Sequence, residues 1–95
     1  MPKFVCDTDQ VYSMGNKITQ VASDMNTQVN GYSSRIESDL SGWNGKAKTT
    51  FISSNEKQVQ TAQDDIIYLT ELGEFIMKSA QEIQKMEEQL ASMSI

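Results

Sequence analysis

The side chains that ordinarily do chemistry are scarce in this chain. It holds no histidine and a single cysteine, Cys6, so it offers neither a nucleophile with its base nor a cysteine–histidine metal site. Adjacent carboxylates occur at Asp64-Asp65 and Glu87-Glu88. Neighbours on a helix point in different directions, so neither pair converges as acid–base work requires. Asp7-Thr8-Asp9 has the alternating oxygens that open a calcium loop, but no glycine or closing glutamate follows where one is needed. The inventory therefore predicts no catalytic residue, no metal and no cofactor, and favours an interaction module. One stretch still stands apart by residue type. Ser41-Gly42-Trp43-Asn44-Gly45-Lys46-Ala47 carries the only tryptophan and two of the five glycines.

Two long arms position that stretch. Asp7 can cap a first helix, with Gln10 placed to reach back in a variant of the capping box. Cys6 and Val11 then stand at the hydrophobic-staple spacing, which makes Cys6 a small apolar packing residue. Val11, Met14, Ile18, Val21 and Met25 recur at alternating steps of three and four, the signature of a helix seam. Gln28 takes the next expected place and the stripe resumes one residue later as Val29, Tyr32, Ile36 and Leu40, a phase slip like a stutter. Asn30-Gly31 is a turn signal elsewhere, but the apolar phase from Val29 to Leu40 predicts that the helix continues through it.

The second arm contains no proline and keeps one phase: Ile52, Asn55, Val59, Ala62, Ile66, Leu69, Gly73, Ile76, Ala80, Ile83, Glu87, Leu90. Small residues at 62, 73 and 80 would admit a close neighbour. Close packing is what compensates Gly73, which costs about 1 kcal/mol against alanine inside a helix. A second stripe on the same arm, Tyr68, Leu72, Phe75, Met86 and Met93, exceeds what one facing helix can cover. The predicted order is helix 1 over about 8–40, a turn over 41–45 and helix 2 over about 46–92. Gly42 suits a left-handed helix end, and Ser41 or Asn44 can cap the next start. Arms of this size extend roughly 50 and 70 Å. The fold class is all-α: an antiparallel helix-turn-helix hairpin that dimerises into an elongated four-helix bundle.

Bulk properties agree with such a module. Ninety-five residues make one small domain, too small as a lone hairpin to bury much surface, and a single cysteine provides no disulfide staple. A net charge of −5 without any basic cluster argues against nucleic acid and against anionic membranes. The longest apolar run, Ile66-Ile67-Tyr68-Leu69, is far short of the roughly 18 residues a membrane span needs. Met1 to Asp7 lack the apolar core and cleavage site of a secretory signal.

Trp43-Asn44-Gly45 matches a Trp-x-Gly signature near the midpoint of a chain of this length, between helical arms and followed by Ala47 and Phe51. In that setting the whole chain resembles the WXG family, the small ESAT-like substrates of type VII secretion. The resemblance implies helical hairpins that pair antiparallel with themselves or with a second WXG-type or effector chain. It also implies export as a folded dimer, without a cleaved signal, by a membrane-embedded secretion ATPase, with Trp43 and Gly45 as the turn motif of a recognition surface. The sequence departs from the family in one respect. The second signal Tyr-x-x-x-Asp/Glu is absent: Tyr12, Tyr32 and Tyr68 are followed four residues on by Asn16, Ile36 and Leu72, and Phe51 and Phe75 by Asn55 and Ser79.

Hairpin and dimer contacts are expected at Val11, Met14, Ile18, Val21, Met25, Val29, Ile36 and Leu40 of the first arm. In the second they are expected at Ile52, Val59, Ile66, Leu69, Leu72, Gly73, Phe75, Ile76 and Ile83. A homodimer is favoured, because a two-fold interface uses both stripes of helix 2 symmetrically. The competing expectation is an intracellular helical adaptor that is never exported. Membrane activity through Leu72, Phe75 and Met86 is disfavoured, since a buried interface explains the same residues.

Overall fold

In the computed structural model, which describes residues 7–93, Asp7 opens the first helix. Its backbone is extended and its carboxylate accepts the Gln10 amide hydrogen at 3.2 Å, which satisfies one of the orphan donors of the first turn. Helix α1 then runs Thr8–Asp39, without interruption at Asn30-Gly31. The Cys6 half of the expected staple lies outside the described residues. Serine and threonine are poor helix formers because their hydroxyls compete for backbone groups. Here that competition is settled within the helix: Thr27 and Ser34 donate to the carbonyls of Ser23 and Asn30, one turn back.

A short 3-10 turn, Leu40–Gly42, ends the first arm, and helix α2 runs Lys46–Met93 as a single element. The two helices pack antiparallel against each other as an all-α hairpin. Its envelope of 77 × 17 × 16 Å is a rod two helices thick.

As far as Ile83 the α2 seam is the one its apolar spacing predicts, with Ile66, Gly73 and Ala80 buried and Ile52, Asn55, Val59, Ala62, Leu69, Ile76 and Ile83 half-buried; Glu87 and Leu90, expected to continue it, are exposed, because they lie beyond the stretch that α1 covers. The α1 seam differs from its apolar stripe. Met14, Val21 and Tyr32 are not part of it, being 58%, 53% and 42% exposed. Beside the first two, Gly15 and Ala22 are buried instead, within a row of Val11, Ile18, Met25, Val29, Ser33, Ile36 and Leu40. The phase slip sits between Val29 and Ser33, a turn later than the apolar stripe places it.

The cause is how closely the backbones approach. A β-carbon on Gly15 would lie 2.7 Å from the Gly73 carbonyl oxygen, and one on Gly73 would lie 2.7 Å from that of Gly15. Two glycines facing each other let the helices touch main chain to main chain, and no larger residue fits at either place. A stripe counted from large apolar side chains overlooks such a contact, because glycine contributes nothing to it.

This close approach comes with a thin core. The buried hydrophobic residues among those described are Ala22, Leu40, Ile66 and Ala80, and no large side chain is fully buried. Among the described residues twelve large apolar side chains stay exposed, so much apolar surface is left uncovered by one hairpin.

Candidate functional site

The tip of the hairpin is built by local backbone chemistry. The Trp43 amide donates to the Leu40 carbonyl at 2.9 Å, closing the 3-10 turn and leaving Trp43 extended. Gly45 has φ +88, a conformation that costs an L-residue about 1 kcal/mol or more, so the reversal depends on glycine there. Gly42, expected as the left-handed helix end, has no positive φ; it closes the 3-10 turn, and the left-handed step falls three residues later. Neither Ser41 nor Asn44, expected to cap α2, makes a side-chain cap bond among the described residues; the Gly45 carbonyl accepts the first intrahelical bond, from the Thr49 amide at 3.3 Å, and also the Thr49 hydroxyl at 3.4 Å.

The Trp43 ring packs on Phe51, with centroids 6.0 Å apart and planes tilted by 53°. That separation and tilt fall in the favourable range for aromatic pairs. The contact covers only part of the indole, which remains 49% exposed. Trp43 and Gly45 therefore form a partly apolar knob at one end of the rod.

Below the tip the helices separate over a groove of about 620 Å³ whose walls include Ser33, Ile36, Leu40, Ile52, Asn55 and Val59. Asn55 occupies a seam position there, and its buried Oδ1 has no hydrogen-bond partner. An unsatisfied buried carbonyl costs about 1–3 kcal/mol. Asn55→Leu is accordingly expected to raise the thermal midpoint, followed by circular dichroism. A lowered midpoint would show instead that Asn55 holds the register of the helices.

A different surface lies along the lower half of the rod. A β-carbon on Gly15 would meet Met77, and one on Gly73 would meet Thr19, so Thr19 and Met77 share one flank of the seam. Each stands four residues after its own helix's seam glycine. Residues one place before those glycines, Met14 and Leu72, lie on the opposite flank. Val21, seven residues from Met14, joins them, and Tyr68 and Phe75 extend the row four before and three after Leu72. Tyr68 and Phe75 are 64% and 66% exposed, so this flank carries large apolar side chains open to solvent.

Of the residues expected at hairpin and dimer contacts, most lie in the seam, while Met14, Val21, Leu72 and Phe75 form the flank. Gly15, Thr19, Ala22 and Met77 were missed. The readable signal was Gly15 with Ala22, a small pair seven apart that mirrors Gly73 with Ala80. The carboxylate pairs are exposed, and Asp64 accepts from Gln60 Nε2 at 3.0 Å. Among the described residues no three histidine, cysteine or acidic side chains are grouped as a metal site, and no helix is long and apolar enough to cross a membrane. Comparison with protein-family models, curated proteins and solved structures found no match.

Proposed function

We propose that this chain is a WXG-type substrate of a type VII secretion system, exported as a folded pair of hairpins and acting as a secreted protein or as escort for a larger effector. The observation that carries the reading is the placement of Trp43-Asn44-Gly45. The motif forms the tip of a two-helix rod, with its glycine in the left-handed conformation and its indole half open to solvent. A knob of this kind is presented to a receptor without any unfolding, which suits recognition of an already folded substrate. Its partners in this reading are a second hairpin and the secretion ATPase, and its role is binding rather than catalysis.

Deleting the secretion ATPase in the producing bacterium tests the proposal. The protein is expected to disappear from the culture medium and accumulate in the cells. Unchanged extracellular levels would refute export by this route and leave the intracellular adaptor. One observation favours that second reading: no Tyr-x-x-x-Asp/Glu signal accompanies the turn, so in the export reading a partner or a degenerate motif supplies it.

A further inference from the structure

We propose that Asn44 is a site of spontaneous backbone modification, at which the Gly45 amide closes on the Asn44 side chain and water reopens the ring to aspartate or isoaspartate. The reaction needs no enzyme and holds whether or not the chain is exported.

The chain contains two Asn-Gly pairs, Asn30-Gly31 and Asn44-Gly45. Such a pair is the most permissive for this chemistry, because glycine puts no side chain beside the attacking nitrogen. Access does not separate the two. Both asparagines are exposed, and a β-carbon on either glycine would meet nothing within 4 Å. What separates them is the peptide plane, which must turn to bring the nitrogen onto the side-chain Cγ.

At Asn30-Gly31 that plane is held from both ends. It lies inside α1, where the Gly31 amide donates to the Thr27 carbonyl in the regular helical pattern. The Asn30 carbonyl accepts the Ser34 hydroxyl at 3.1 Å besides its helical bond. Closing the ring there requires a stretch of helix to open first. Asn44-Gly45 instead falls between the 3-10 turn Leu40–Gly42 and the start of α2 at Lys46. The nearest backbone bonds pass on either side of it, from the Trp43 amide to the Leu40 carbonyl and from the Thr49 amide to the Gly45 carbonyl. Among the described residues neither the Asn44 carbonyl, nor its side-chain amide, nor the Gly45 amide has a hydrogen-bond partner. No helix has to open before this plane turns.

The Gly45 nitrogen gives its proton to a base in the solvent and attacks Asn44 Cγ. A C–N bond forms, the Cγ–Nδ2 bond breaks and ammonia leaves, giving a five-membered succinimide. Water then opens the ring at one of its two carbonyls. Attack at Cγ restores the ordinary backbone and leaves aspartate, whose negative charge at the N-terminal end of α2 is favoured by the helix dipole. Attack at the backbone carbonyl leaves isoaspartate, so that the chain passes through Cβ and gains one methylene between Trp43 and Gly45. Either product alters the turn motif without cutting the chain.

The test is ageing of the purified chain, helical by circular dichroism, in mildly alkaline buffer, beside the same chain in denaturant. Cleavage after Arg35 and Lys46 puts Asn30 and Asn44 on different peptides, the second with no other amide side chain. Mass spectrometry follows the gain in mass as NH2 gives way to OH. In the folded chain Asn44 is expected to react at least about tenfold faster than Asn30, because only Asn30 waits on local opening of a helix. In denaturant the two rates are expected to agree within about twofold, since that protection is gone. Hydroxylamine, which cuts the chain at a succinimide, is expected to cleave after Asn44 alone in the folded chain and after both asparagines in the unfolded one. A folded chain in which Asn30 reacts as fast as Asn44 would overturn the proposal. So would one in which Asn44 stays intact while the denatured chain is modified.

Discussion

Replacing Gly73 with leucine is expected to cost at least about 3 kcal/mol of stability, at the upper end of overpacking penalties. A β-carbon at this position already lies 2.6 Å from Thr19 Cγ2 and 2.7 Å from the Gly15 carbonyl oxygen. The threonine methyl can rotate away. The Gly15 oxygen cannot, because it belongs to the backbone of the opposing helix, so the helices must separate along the stretch that holds their closest contact. Helix propensity alone predicts the reverse, since leucine is the better helix former by most of 1 kcal/mol.

Gly31 is the internal control. A β-carbon there meets nothing within 4 Å, so Gly31→Ala is expected to stabilise by about 1 kcal/mol through propensity and the unfolded chain. Denaturant unfolding at one fixed protein concentration separates the two, because stability of an associating chain depends on concentration. Equal stability of Gly73→Leu and wild type would mean that the Gly15–Gly73 contact is absent.

The other large effect concerns export. Trp43→Ala is expected to lower secretion at least about tenfold, equivalent to about 1.4 kcal/mol of lost recognition, while helix content by circular dichroism stays that of wild type. The helices on either side are held by their own seam, and the reversal by Gly45, so loss of the indole removes one tilted contact with Phe51 worth about 0.5–1.5 kcal/mol beyond its burial. That is a modest stability change for a residue half open to solvent. Fractionation of cells and medium measures the effect. Unchanged secretion with reduced stability would make Trp43 a clamp on the hairpin and nothing more.

How far the sequence could be read varied with the physics of each position. α2 was legible because its seam is marked by large aliphatics, Ile52, Val59, Ile66, Leu69, Ile76 and Ile83, in unbroken phase. The antiparallel fold followed from a turn too short for anything but adjacent helices. α1 was read one residue off at Met14 and Val21, because Gly15 and Ala22 pack through the absence of side chain, which a hydrophobic stripe does not register. That error had a consequence for the exposed flank: the two displaced residues belong to it, alongside Leu72 and Phe75. At the tip, glycine was rightly tied to the reversal, but which glycine takes positive φ depends on the 3-10 turn at Leu40–Gly42. Local composition does not encode that turn, since Ser41-Gly42 suits either ending. The polar Asn55 was placed in the seam correctly, and its unpartnered oxygen depends on how far the helices part near Ser33, which no single-helix pattern records.

The claim beneath all of this is that the chain doubles back at Trp43-Asn44-Gly45 with Gly15 against Gly73. Spin labels at Gln20→Cys and Glu71→Cys, in a Cys6→Ser background and diluted with unlabelled chain, measure it most directly. On outward faces at nearly the same level of the hairpin, they are predicted to lie about 30 Å apart, two label arms across a pair of helices spaced by 8–10 Å. A separation of roughly 75 Å, the length of one continuous helix between the two positions, would contradict it.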